Sequence, residues 1–129
     1  MAITKLVADS LGTSAVPNQS AFKNIIINGD MSIAQRGTST SSYSSGTAYN
    51  TNDRWQFQLN SAGTYTQSQS TDVPTGQGFA KSLKLDCTTA NSSLSAGSYS
   101  IIAQQIEGQN LQYLKKGTSS AESLTLSFW

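Results

Sequence analysis

From Phe22 onward the apolar residues of this chain recur at every second position, and that period admits strands and little else. Trp55, Phe57 and Leu59 alternate with Arg54, Gln56 and Gln58, which turns the first three toward a core. Phe79, Lys81, Leu83, Leu85 and Cys87 share one face of a second run, with Ala80, Ser82, Lys84 and Asp86 on the other. Its inward set is almost entirely apolar, so this run is expected to be a central strand, with Cys87 a small buried thiol. Thr64, Thr66 and Ser68 against Tyr65, Gln67 and Gln69 offer no strongly apolar face and predict an edge strand. Ile25, Ile26 and Ile27 form a β-branched run closed by the turn Asn28-Gly29-Asp30, and a further strand is expected from Tyr99 to Ile106. Leu124, Leu126 and Phe128 alternate in the last segment and are expected to be buried in a sheet. Six to eight short strands without a helix of ordinary length predict an all-β fold, an antiparallel β-sandwich or jelly roll. So apolar a last strand needs neighbours, and the sandwich is therefore expected to be incomplete at the C-terminal end.

Length and polarity set the other bounds. The 129 residues suit one domain with a real core. Only 12% are charged and the net charge is +1, so electrostatics recommend neither nucleic acid nor an anionic membrane as a partner. Ser and Thr supply the solubility that charge does not, as on sheet surfaces exposed outside cells or on virus particles. There is no apolar run of the length needed for a secretory signal or a membrane span.

Residues 1–21 read differently. Ile3, Leu6, Val7 and Leu11 follow helical spacing, and Gly12 ends the pattern before a small, polar stretch containing Pro17. A helix this short is marginal alone, so its apolar face must dock. These residues are read as an N-terminal attachment or assembly arm with its linker, and residues 22–129 as the sandwich.

No catalytic constellation is present in the sequence. The absence of histidine excludes a Ser/His/Asp triad and, with Cys87 the single cysteine, the usual zinc sites. Glycoside hydrolysis would require two of the carboxylates Asp9, Asp30, Asp53, Asp72, Asp86, Glu107 and Glu122 facing each other across a sugar, whereas most of them lie beside turns, so such a pair is not expected. The chain is read as a non-enzyme. Recognition falls instead to aromatic rings, on which sugar faces stack. Residues 36–52 form a long polar loop around Tyr43 and Tyr49, and together with Tyr65 on the polar strand these are the candidate contacts for a glycan or a neighbouring subunit.

Taken in order, NIIINGDMSIAQRGTS, DRW, SLKLD, QQIEG and LKKGTSSAESLTLSFW resemble the galactose-binding-like jelly rolls that include many carbohydrate-binding modules. The pairing of NGDMSIAQRGTS with DRW is most similar to versions in tail fibres and virion surface proteins of marine bacteriophages. The resemblance implies a virion structural protein, assembled in the host cytoplasm. It would be the N-terminal part of a homotrimeric tail fibre whose arm meets a tail adaptor and whose sandwich supports recognition of a host-surface glycan. A capsid decoration protein and a carbohydrate-binding module of a secreted bacterial polysaccharide-active protein are the alternatives. Related modules often have an acidic residue two positions after the Asp of NGD that helps hold a structural calcium. Here Met31 and Ser32 follow Asp30, leaving one carboxylate for a possible calcium site and no other cofactor implied.

Overall fold

The computed structural model describes residues 24–129, and within them the chain is all-β, built as two antiparallel three-stranded sheets. The strands are β1 (Ser39–Tyr43), β2 (Gly46–Ala48), β3 (Gln56–Asn60), β4 (Thr64–Ser70), β5 (Ser82–Thr89) and β6 (Tyr99–Ala103), followed by a 3₁₀ helix, Gly108–Leu114. One sheet runs β1-β4-β5 and the other β2-β3-β6. The apolar arm residues Ile3, Leu6, Val7 and Leu11 lie outside the described residues.

The sheets meet through aromatic rings. Phe57 on β3 lies 5.5 Å from Tyr43 on β1 and 5.6 Å from Tyr65 on β4, the latter edge-on. Phe57 and Leu59 are fully buried, as their spacing predicts, whereas Trp55, expected inward with them, is half-buried and Gln56, expected outward, is buried; Leu114 of the 3₁₀ helix is buried too. Each buried apolar side chain contributes about 1.5–3 kcal/mol of burial. Thr51, Asn52, Gln56 and Gln67 are also buried, so amides share the interior with a small apolar core.

Six expectations are corrected by the fold. The strand expected at an edge, β4, is the centre of its sheet, and Gln67 on it is wholly buried. The strand expected at the centre, β5, is an edge. Cys87 pairs with Tyr65 and Leu85 with Gln67, so the register does turn Leu83, Leu85 and Cys87 of β5 inward. Among the described residues no strand lies beyond β5 to cover them, and Cys87 is exposed rather than buried. Residues 124–128 form no strand; Leu124, Leu126 and Phe128 are exposed. Their alternation supplies one face of a ladder, but a ladder also needs a partner backbone. Residues 36–52, expected to be a structureless loop, contain β1 and β2, whose Ser, Thr and Tyr are compatible with strands even without an apolar face. The run Ile25–Ile27 carries no strand, although Gln104 clamps it as a strand would: its side-chain Oε1 accepts from Ile27 N at 2.9 Å and its Nε2 donates to Ile27 O at 2.7 Å.

Candidate functional site

The site begins with the turn at NGD. Asn28 takes φ 55°, a left-handed conformation that asparagine tolerates better than most residues, and this reverses the chain. Its side chain then fixes the path of residues 31–33. Nδ2 donates to the carbonyls of Ile33 (2.9 Å) and Asp53 (2.8 Å), while Oδ1 accepts from Ile33 N (2.9 Å). Its own carbonyl accepts from the indole Nε1 of Trp55 at 2.9 Å. The NGD and DRW motifs are therefore one bracket. The carbonyl of Met31 extends it to both sheets, accepting from Asn52 Nδ2 (2.8 Å), just before β3, and from Gln69 Nε2 (2.7 Å) on β4.

This bracket carries the chain past one end of the β2-β3-β6 sheet. Ala48 pairs with Phe57 and Gln56 with Ala103, so the end of β2, the start of β3 and the end of β6 converge there. Beside them lies a groove of about 580 Å³, lined by Gln35, Arg36, Tyr49, Asp53, Arg54, Gln105, Ile106 and Glu107. The volume is within the range of small-molecule sites.

The groove's charges are balanced and held in place. Arg36 lies over the Tyr49 ring, 5.7 Å from its centre, and donates to the Tyr49 carbonyl at 3.3 Å. Arg54, itself at φ 72°, donates to the carbonyl of Gln105 (3.0 Å) and to Glu107 Oε1 (2.8 Å). Glu107 is held below the usual carboxylate range, first by its own backbone amide and then by Arg54 and Asn110. Asp53 accepts from Gln35 N through Oδ1 at 3.3 Å. Two guanidinium groups and two carboxylates thus line the groove, with Arg54 paired to Glu107 and with primary amides and one phenol ring beside them. Such walls offer donors and acceptors in a mixed array without a dominant charge.

Of the three tyrosines expected to recognise a ligand, Tyr49 lines this groove. Tyr43 and Tyr65 instead pack on Phe57 between the sheets, and burial pushes the Tyr43 hydroxyl pKa upward. Asp30 is exposed and accepts a long bond from Ser32 N (3.5 Å), the geometry of an Asx turn. Among the described residues no group of three or more His, Cys, Asp or Glu is placed to hold a metal ion. The groove residues that sequence reasoning passed over are Arg36, Asp53, Arg54 and Glu107. DRW and QQIEG marked where they lie, but only the antiparallel register brings the end of β6 beside the start of β3.

Comparison with protein-family models, with curated proteins and with solved structures finds no match for this chain.

Proposed function

We propose that the chain is a non-catalytic module of a phage tail fibre or a related virion surface protein, with residues 1–21 as its attachment arm and the groove at Tyr49 as a carbohydrate-binding site. The carrying observation is the makeup of the groove: an aromatic ring, two guanidinium groups, two carboxylates and two primary amides around one cavity. Sugars present apolar ring faces and hydroxyls that both donate and accept, and these side chains answer both. A phosphate ligand would favour an excess of cations, which the paired Arg54 and Glu107 do not provide. The virion assignment draws on the sequence pattern NGDMSIAQRGTS with DRW, which in this fold forms one bracket joined to the groove through Asp53. In that setting the module works as a homo-oligomer, a trimer in the fibres it resembles, seated on a tail adaptor.

Calorimetric titration of the purified chain with host envelope polysaccharides tests the binding site. Tyr49→Ala and Arg36→Ala should each weaken binding by about 1–2 kcal/mol, as truncation of an anchoring contact does, with thermal stability unchanged. Binding that ignores both substitutions, or no binding to any envelope polysaccharide, would remove the groove from the proposal. Particle imaging with a label at Met1 tests the virion role separately, and absence of the label from virions would end it.

A further inference from the structure

The sandwich is open along one side, and the chain carries an unpaired segment shaped to close it. Only two residues separate Tyr43 from Gly46, so β1 lies over β2 on one flank, which leaves β5 over β6 on the other. Both are edge strands. On β6, Ile102 pairs with Phe57 and therefore points between the sheets, yet it is 47% exposed. Across the gap, Cys87 on β5 points the same way as Tyr65 and is exposed too, with Leu83 and Leu85 half-buried beside it. An interior face exposed to this degree lacks a strand.

The two edges differ in how they are guarded. The outward face of β5 carries Lys84 and Asp86, charges of the kind that discourage a further strand. The sequence of β6, YSIIA, has no charge and no proline, and its outward residues Tyr99 and Ile101 are each 43% exposed. Residues 123–129, SLTLSFW, are equally uncharged. They alternate Leu124, Leu126 and Phe128 with Thr125, Ser127 and Trp129, and all are exposed. Their root is fixed: Glu122 N donates to Leu114 O (2.9 Å), Lys116 Nζ donates to the Glu122 carbonyl (2.6 Å), and Lys115 pairs with its carboxylate at 3.6 Å. Among the described residues of a single chain, the segment so tethered pairs with no edge.

We propose that residues 123–129 of one copy add as a strand along the free edge of β6 in a second copy. Leu124, Leu126 and Phe128 then cover Ile102 and the inward residues of β5, while Trp129 packs outside against Tyr99 and Ile101. The exchange leaves no unmatched surface when it closes cyclically, each copy giving its segment to the next, with two copies or with three. Phe128 alone carries about 150–250 Å² of burial. With its two leucines and a backbone ladder, and counted on both partners, the contact approaches the roughly 1,000 Å² that a specific interface needs. The inference is independent of the carbohydrate role of the groove, which lies at the end of the sheet.

The test is self-association of the chain, followed by sedimentation velocity, with two substitutions on exposed positions that leave the sandwich intact. Thr125→Pro removes a ladder donor from the segment, and Ile101→Lys places a charge on the β6 edge. The wild type should associate at micromolar concentration, each substitution should raise the dissociation constant by about tenfold or more, and hydrogen exchange should slow at residues 123–129 only in the associated form. A wild type that stays monomeric overturns the proposal. So does association that both variants retain, which would place the contact elsewhere, and so do amides in 123–129 that are protected in the monomer, which would mean the segment closes its own sandwich.

Discussion

The indole of Trp55 donates its single N–H to the backbone carbonyl of Asn28, 2.9 Å away, and so ties the strand that enters the core to the turn that opens the described fold. The Asn28 side chain returns the tie through the carbonyl of Asp53, two residues before Trp55. Each bond of this kind is worth about 0.5–1.5 kcal/mol, and a partner left unmade costs more. Asn28→Ala should therefore destabilise the chain by about 2–4 kcal/mol, read by urea denaturation. Asn28→Gly keeps the left-handed backbone while losing the same side-chain bonds, and it should recover only the smaller part attributable to φ. Equal stability of wild type and the alanine variant would show that the bracket does not hold the fold.

Gln67 stands at the opposite extreme. It is wholly buried at the centre of β4, and neither atom of its amide finds a hydrogen-bond partner among the described residues. Enclosing such a group costs about 1–3 kcal/mol. Gln67→Met keeps the length of the side chain without that cost, so it should raise the denaturation midpoint by an amount corresponding to about 1 kcal/mol or more. A clear loss of stability would mean the amide is satisfied in solution.

These two residues mark what could and could not be foreseen from sequence. The NGD turn and the inward pair Phe57 and Leu59 were legible because each follows from local chemistry: a turn-forming dipeptide and a period of two. The placing of β4 and β5 was not, because a polar face such as that of Tyr65, Gln67 and Gln69 predicts exposure unless another sheet covers it. Here Phe57 does so, through Tyr65. The groove was half visible: Tyr49 could be named as a ring on a polar loop, but the residues around it come from three separated segments that only the strand register unites.

Gly63 lies in the crossing from β3 to β4 at φ 110°, and a β-carbon there would stand 2.6 Å from the carbonyl oxygen of Thr89. Gly63→Ala should cost about 2 kcal/mol or more, from strain together with displacement of the β5 backbone. Gly97 has open space around it and no positive φ. Gly97→Ala should thus be neutral or stabilising by up to about 1 kcal/mol, and thermal melts of the pair separate the two effects.

Acidity acts on this chain from both ends of the scale. Burial raises Tyr43 above its ordinary value of 10.0, so the folded state keeps the phenol neutral longer than the unfolded chain does. That contribution is complete below about pH 10 and is lost as pH rises toward the folded value. Glu107 is lowered from 4.5, so its contribution is complete above that pH and disappears as pH falls through the lowered value. Ultraviolet titration should show a tyrosine ionisation step above pH 10.0, and Tyr43→Phe should abolish it. The carboxyl resonance of Glu107, followed by NMR, should shift below pH 4.5 in the wild type, and its midpoint should rise in Arg54→Gln.

The bracket around Asn28 grips main-chain atoms: the carbonyls of Met31, Ser32 and Ile33 and the amide of Ile33. Met31, at φ 57°, is restricted by its backbone, but none of these bonds depends on which side chains positions 32 and 33 carry, and Ser32 and Ile33 are exposed to solvent. Variation can therefore rewrite the outer surface of this turn without changing its path, whereas Asn28, Asn52 and Gln69, whose amides do the gripping, have no such freedom. A lineage under pressure to change what it touches has, in this turn, a place to do so at little structural risk.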